Sequence, residues 1–376
     1  MQILHIISSS GLYGAERTLC NLFEHASGCD FTLALFSPEG SDSGPLKAAV
    51  TKTGAKILFL RAGLRATVAS IFRLLGHVRH HRPDVLHAHG YKGLAAGVIV
   101  ATCFGLPLVY TQHGFIRTSR KLLLYTKIDM FLCSLKRVFK IICVSEGIRN
   151  EYRKAGIAEN KLLFIPNAVP LPPKKAATKQ IQTEEHDTTC LAVCRLSSEK
   201  GPDILLEAFA LALRRHAAIR LWIAGDGPMR EALQARAEVL GISNRVHFWG
   251  YVEDIGELLE TADIFVLPSL TEGTPMALLE AMAHELPAVC TSVGEVPRII
   301  NDSCGILVSP GSVEKLADSL SSLLSAPSAV RQSMGQAARS IVEESFSITR
   351  HSKQITDIYT QAVGHNRATA TPGCGR

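Results

Sequence analysis

The sequence predicts two α/β domains, each a doubly wound parallel sheet. Short apolar runs recur between helix-length amphipathic stretches along the whole chain, the pattern of strands buried on both faces and joined by crossover helices. At 376 residues the chain also exceeds one ordinary core, so two domains are expected. Between the halves lies VPLPPKKAATKQIQTEEHDT. Rich in proline and charge and nearly empty of large apolar residues, it reads as a linker.

In the first half the strand candidates are ILHIIS, FTLALFS, KILFL, VLHAH, LPLVYTQ, KIICVS and KLLFIPN. Helical stretches separate most of them, among them residues 15–26 and 117–139. The second half repeats the scheme with CLAVCRL, IRLWIAG, RVHFWG, ADIFVLPS, LPAVCTS and GILVSP. The expected organisation is a first domain over residues 1–168, a linker over 169–187 and a second domain over 188–349. A final helix over 350–364, crossing back to the first domain, precedes a polar, Gly/Pro-containing tail over 365–376, expected to be disordered. In such an assembly the two sheets face each other across a cleft, with ligands at the carboxyl ends of the strands.

Composition is that of a soluble globular protein, 47% hydrophobic and 20% charged. Gly97, Gly105 and Pro107 break the longest apolar stretch, so no membrane-spanning helix is predicted. The start, MQILHIISSS, lacks a basic region and a cleavage site and reads as a strand rather than a signal peptide. Ten cysteines are scattered without a CxxC pair, which fits reduced core thiols in a cytoplasmic protein better than a disulfide framework. The net charge of +6 divides unevenly, +11 over residues 1–170 and −5 over the rest. An asymmetry of this kind suggests that the first half meets something anionic.

Four phrases carry candidate chemistry. The first, SLTEGTPMALLEAMA, turns through Glu272, Gly273, Thr274 and Pro275 after an apolar strand and then reads as a helix. Pro275 suits its first turn, where a missing N–H costs nothing. A helix opening there presents N–H groups and a positive dipole end to a diphosphate. Glu272 on the loop and Glu280 more than a turn into the helix do not form one close acid–base pair. Two glutamates eight apart are by themselves ordinary solvated carboxylates. In CRLSSEKGPDILLEAFA, Arg195 and Lys200 fall on a strand-to-helix turn. Two fixed cations there can stabilise charge on a departing diphosphate, although such a pair is usually plain surface. In SSSGLYGAER, Gly14 opens a helix after the first strand, where backbone can approach a phosphate. In YTQHGF, His113 ends a strand; a lone histidine in such a place is more often structural. His87 and His89 in HAHG also end a strand. Asp84, the nearest acid, faces away from them, so they look poor as metal ligands and better suited to structural or acceptor-loop roles.

The phrase EGTPMALLEAMAHELPAVCTSVGEVPRII, with R-x4-K upstream of it, resembles the donor-binding region of retaining glycosyltransferase family 4 and its Glu-x7-Glu signature. The resemblance extends over roughly residues 2–362 and is strongest from 188 to 300. It implies a GT-B fold of two Rossmann-like domains, with the acceptor on the first and a nucleotide-sugar donor on the second. It further implies that Glu280 holds the ribose hydroxyls and that Glu272 sits beside the donor sugar. Gly273, Thr274, Pro275 and Met276 would then offer backbone contacts, Arg195 and Lys200 would bind the diphosphate, and His113 would lie against the donor sugar. Gly14 would contact the donor and Glu16 would face the acceptor. Gly250, Tyr251 and Val252 in FWGYV would hold the base through main-chain contacts. Smaller echoes are AGDGP and IPNAV. The chain departs from the pattern at Tyr13, at HEL (usually small-Gly-Leu), at Glu295 (usually Gly) and at Arg298 (usually Glu).

No Asp-x-Asp occurs in the chain, the pair with which glycosyltransferases of another architecture hold a divalent metal. Protein cations therefore take that role, and neither a metal nor a cofactor is expected beyond the nucleotide-sugar cosubstrate. The reaction implied is hexosyl transfer with retention, from a nucleotide-diphosphate sugar to a saccharide or lipid-linked acceptor, in cell-surface polysaccharide or glycolipid assembly. RTSRKLLLYTKIDMFLCSLKRVFK mixes seven basic residues with apolar ones. It reads either as an amphipathic helix touching anionic lipid at the inner face of the membrane or as an ordinary helix with a basic face. Two other classes remain open: a GT-B nucleotide-sugar epimerase, acting on donor alone, and a non-catalytic sugar-nucleotide binding protein. Nucleic-acid binding would explain the charge and nothing else.

Overall fold

The computed structural model describes residues 1–9, 11–12, 14–38, 44–114, 120–173 and 187–370. The chain divides into two compact units, Met1–Asn167 with Ile348–Arg376, and Ala168–Ser347. The first unit begins with β1 (Gln2–Ser8), α1 (Gly14–His25), β2 (Asp30–Pro38), α2 (Gly44–Lys52), β3 (Lys56–Ala62) and α3 (Leu64–His81). It continues through β4 (Val85–His89), α4 (Gly90–Phe104), β5 (Leu108–Gln112) and α5 (Arg120–Ser134). It closes its sheet with β6 (Val138–Cys143), α6 (Glu146–Lys154) and β7 (Leu162–Phe164). The strands form one sheet in the order β3-β2-β1-β4-β5-β6-β7, every pair parallel.

The second unit comprises β8 (Thr188–Val193), α7 (Pro202–Leu213), β9 (Ile219–Ala224), α8 (Arg230–Val239), β10 (Val246–Gly250) and α9 (Gly256–Thr261). After these come β11 (Ile264–Leu267), α10 (Met276–Ala283), β12 (Ala288–Thr291), α11 (Val296–Ile299), β13 (Gly305–Val308), α12 (Val313–Ser325) and α13 (Ser328–Ser345). Its strands run β10-β9-β8-β11-β12-β13, again all parallel. Two doubly wound parallel sheets are what the apolar runs predict. In each sheet the order reverses beside the unit's first strand, between β1 and β4 and between β8 and β11. Helices wind to opposite faces from such a switch point, so the loops leaving its two strands are left open for a ligand.

The last helix, α14 (Ile348–Ala370), packs on α1, β4 and β5 of the first unit. It corrects the expectation of a helix over 350–364 and a disordered tail from 365. Residues 365–370 stay helical because Arg367, Ala368 and Ala370 favour helix and the first breaker in the sequence is Pro372. The helix expected over 117–139 is also shorter. It ends at Ser134, since Val138 and Lys140 are needed to pair β6 with β5, Phe139 being the residue skipped at the register shift between them. Most of the linker (174–186) and the tail beyond 370 lie outside the described residues. The nine cysteines of the described residues are free thiols, and burial pushes those of Cys143, Cys190 and Cys194 up to about 12.

Strand β5 shows how alternation sorts chemistry. Its even positions, Tyr110 and Gln112, turn to one face and meet Asp129 of α5, which is 1% exposed. The hydroxyls of Tyr110 (2.5 Å) and Tyr152 donate to the two oxygens of that carboxylate. Thr111, and His113 just past the strand's end, face the other way. Replacing Asp129 by Ala leaves two buried hydroxyls without an acceptor, and each such loss costs about 1–3 kcal/mol. Asp129→Ala is expected to destabilise the protein by about 3 kcal/mol, read from the urea midpoint; a midpoint equal to that of the unaltered protein would contradict the assignment.

Candidate active site

In the second unit the loops leaving β8 and β11 are tied together at the switch point. After β8 the chain passes Arg195 and a single helical turn, Ser198–Lys200, and enters α7 through Gly201. Gly201 is left-handed (φ 61°), and a Cβ there would strike the Pro268 carbonyl, so only glycine brings the two loops this close. The Lys200 ammonium donates to Glu272 Oε1 at 2.7 Å, and Ser269 Oγ donates to the same oxygen at 2.7 Å. The Glu272 side chain is 8% exposed. Leu270 N–H donates to the Glu199 carbonyl (2.9 Å), a second tie between the loops.

Helix α10 opens without a side-chain cap, so the amides and dipole of its first turn favour an anion. It begins at Met276. Pro275 stands one place earlier than expected, as an extended capping residue (φ −73°, ψ 113°) whose carbonyl accepts from Leu279 N–H. Thr274 and Met276 are buried, while Gly273 and Glu280 are half-buried. Gly294 packs so close beneath the loop that a Cβ would strike the Glu272 carbonyl. Glu295 N–H donates to the Gly273 carbonyl at 3.1 Å. Glu295, one of the departures from the family pattern, is thus buried directly against the signature loop. Arg195 is exposed, and its charge helps to hold the Glu199 carboxyl below its ordinary range, after a hydrogen bond from Ser197.

Strand β10 ends in a register shift between Phe248 and Gly250, and Gly250 is left-handed (φ 71°). The Gly250 carbonyl accepts from Gly225 N–H at 2.7 Å, joining FWGYV to the AGDGP turn. Tyr251 is exposed and Val252 half-buried. Arg230, which the sequence did not single out, lies against Gly250. The structure therefore unites Lys200, Glu272, Gly273 and the start of α10. It sets Gly250–Val252 on another loop of the same unit.

Candidate residues of the first unit lie around its own switch point. Gly14 starts α1, and Glu16 is 6% exposed in that helix's first turn. Tyr13 lies outside the described residues. His113 follows β5 and joins His89, His87 and His5 on one face of the sheet. Tyr359 and His351 of α14 reach the same region. Sequence reading missed His5, Tyr359 and His351. The period-two placement of His5, His87 and His89 on parallel strands held the signal for the first of these.

Burial, with His89 nearby, holds His5 well below the ordinary imidazole range. Burial does the same to His87 and His89 with help from neighbouring imidazoles, and brings His113 and His351 to about 4. These imidazoles are neutral in the folded protein, whereas the unfolded chain protonates each near its ordinary value of about 6.5. Stability is therefore whole above pH 6.5 and falls as the pH drops toward 4, by up to about 1.4 kcal/mol per pH unit for each histidine. Urea unfolding at pH 7.5 and 5.0 is expected to show this loss together with proton uptake on unfolding. Equal free energies at the two pH values would contradict it.

The chain is similar in sequence and in fold to known proteins. Residues 173–341 match the family described as Glycosyl transferases group 1, and residues 13–171 match Glycosyltransferase Family 4. The putative glycosyltransferase EpsD of Bacillus subtilis is 30% identical over 74% of this chain and 76% of its own length. The UDP-Gal:alpha-D-GlcNAc-diphosphoundecaprenol alpha-1,3-galactosyltransferase of Escherichia coli is 26% identical over 96% and 97%. Among solved structures, Anabaena Alr3699/HepE in complex with UDP-glucose superposes with a TM-score of 0.81 at 20% identity, covering 96% of this chain and 100% of that one.

Proposed function

The chain belongs to the group 1 glycosyl transferases, in glycosyltransferase family 4, and from that premise we propose that it transfers a hexosyl group with retention from a nucleotide-diphosphate sugar to a saccharide or lipid-linked acceptor. The observation that carries the proposal is the Lys200–Glu272–Ser269 cluster beside the first turn of α10. In this reading Lys200, Arg195 and the first turn of α10 hold the diphosphate, and Gly273, Thr274, Pro275 and Met276 line the sugar. Glu280 holds the ribose, Gly250, Tyr251 and Val252 hold the base, and Gly14 contacts the donor. His113 contributes beside the sugar and Glu16 toward the acceptor. Likeness to the Escherichia coli galactosyltransferase, whose name carries a diphosphoundecaprenol-linked acceptor, supports a lipid-linked acceptor and a role in surface polysaccharide or glycolipid assembly.

Glu272 is engaged by an ammonium and a hydroxyl on one oxygen, which speaks against a bare covalent nucleophile. Front-face attack suits such a site: the acceptor oxygen bonds to the anomeric carbon as the bond to the diphosphate breaks. The leaving phosphate takes the acceptor's proton. Arg195→Ala and Lys200→Ala are each expected to lower kcat/KM by about 30–1000-fold, the range of roughly 2–4 kcal/mol for fixed charge stabilisers. A panel of nucleotides and nucleotide sugars in thermal-shift measurements finds the donor for that assay. Transfer is expected to persist in a chelator. Wild-type rates in both variants would overturn the assignment, and conversion of the donor sugar without acceptor would favour the epimerase reading.

A second proposal concerns the membrane. No helix of the described residues is long and apolar enough to cross one. Helix α5 buries Asp129 and Cys133 on one side and exposes Leu124, Ile128 and Phe131 on the other, with Lys127 between them. The neighbouring α4 exposes Ile99 and Phe104, and α3 beyond it exposes Val68 and Phe72, the latter to 70%. Arg117 lies outside the described residues, and Lys136, Arg137 and Lys140 fall beyond α5. Apolar side chains on a basic unit suit an anionic bilayer surface. Vesicles containing anionic lipid are expected to sediment the protein, and Phe72→Ser with Phe131→Ser to release it. Equal sedimentation with neutral vesicles would count against this surface.

A further inference from the structure

The histidines of the first unit form one continuous hydrogen-bonded chain. Thr111 Oγ1 meets His87 Nε2 at 2.8 Å, and His87 Nδ1 meets the Tyr359 hydroxyl at 2.6 Å. That hydroxyl meets His5 Nε2 at 3.2 Å, His5 Nδ1 meets His89 Nε2 at 3.0 Å, and His89 Nδ1 meets His113 Nε2 at 3.2 Å. The chain ends at His113 Nδ1, a buried nitrogen with no partner among the described residues, on a ring that lines a small cavity with His351.

The ring nitrogens of His5, His87 and His89 lie close enough together to suggest a metal centre, the three ligand atoms being within 4.8 Å of one another. Each of their six nitrogens is already paired along the chain, however, and aims at a neighbour rather than at a common point. A neutral imidazole has one donor and one acceptor nitrogen. Setting aside an arrangement in which the Tyr359 hydroxyl accepts from both neighbours, which leaves its own hydrogen without a recipient among the described residues, the chain has two consistent polarities. In one, Thr111 donates to His87 Nε2, and each following link donates from Nδ1 or from the tyrosine hydroxyl, which leaves an N–H at His113 Nδ1. In the other every donor reverses, and Thr111 becomes an acceptor whose own hydroxyl hydrogen has no recipient among the described residues. The first polarity leaves one unmet group, the N–H of a ring that lines the cavity. The second leaves two, one of them deep in the sheet. An unmet buried donor is expensive, so the first polarity wins.

We propose that His5, His87, His89 and Tyr359 are positioning residues that lock His113 as its Nδ1–H tautomer, so that it donates a hydrogen bond to an oxygen atom of the ligand. This deepens the role of His113 in the transferase reading and rests on that reading only for the identity of the ligand. Burial keeps all four rings neutral, so the lock holds through neutral pH.

The test is nitrogen NMR of the full chain with 15N-labelled histidine at pH 7.5, each ring assigned by a single His→Gln variant. His5, His87, His89 and His113 are all expected to carry their proton on Nδ1, the minor tautomer of a free imidazole. In Tyr359→Phe, which cuts the chain at its middle, His113 is expected to show averaged tautomer signals and kcat to fall about tenfold at unchanged KM. An Nε2–H signal from any of the four in the wild type would overturn the proposal, as would a His113 signal untouched by Tyr359→Phe. So would one zinc ion per chain moving the His5, His87 and His89 signals together. Four Nδ1–H signals in a protein that transfers no sugar would leave the chain standing and remove only the transferase reading.

Discussion

Two neighbouring parallel strands whose crossover helices leave to opposite faces cannot both have their loops covered by those helices. In this protein that constraint operates twice, between β1 and β4 and between β8 and β11, and candidate chemistry gathers at both places. In the second unit the Lys200–Glu272 pair spans the two loops, and Gly201 and Gly294 allow the backbones to approach until no side chain fits between them. Were the loops separated, Glu272 would lose its ammonium and hydroxyl partners together, and a nearly buried carboxylate without them is costly. The pair therefore fixes the loop that leads into α10, and through it the direction in which that helix presents its first turn.

The first unit meets the same constraint with neutral groups. Its central strands β1, β4 and β5 are buried on both faces, so a polar side chain placed on them must find its partner inside the protein. On one face of β5 the partner is Asp129, and on the other it is the imidazole chain. The charge excess of this unit sits on its surface, while its interior site is built from imidazoles held neutral by burial. The second unit is net acidic in sequence, yet its proposed anion site is cationic. Net charge is a statement about long-range attraction. What an anion meets at contact is set by a few groups, here Lys200, Arg195 and a helix end.

Much of the fold was legible because buried parallel strands write themselves as unbroken apolar runs, and every run singled out became a strand. The loop from Glu272 to Pro275 was legible for a similar reason: strand, turn, proline and helix follow one another within a few residues. What escaped was set by distant pairing. Nothing in the order of residues says that Tyr359 will lie between His5 and His87, since those contacts bridge 354 and 272 positions. The extents of α5 and α14 were misjudged for local reasons. Phe139 reads equally well on a helix or a strand, and a polar segment such as 365–370 can stay helical when nothing in it breaks the turn.

The departures from the family pattern acquire a physical meaning in the folded chain. Glu285 of HEL, standing where a glycine is usual, is left-handed (φ 62°), a conformation that costs a residue with a Cβ roughly 1–2 kcal/mol. It closes α10, with Leu286 N–H returning to the Ala281 carbonyl, the reversal that glycine usually supplies. Arg339 offers an offset. Its buried guanidinium donates to the carbonyls of Ala283 and Pro172 and to Glu343, and lies 3.9 Å from Glu285. Glu295 and Arg298, replacing a glycine and a glutamate, face each other at 3.7 Å. The reversed charge at position 298 is thus answered within the same short helix and its cap. Both changes are compensated locally, so the backbone beneath Glu272 and Gly273 keeps its course. What they alter is the charge beside the signature loop, and a site that distinguishes sugars by hydrogen bonds is sensitive to that alteration.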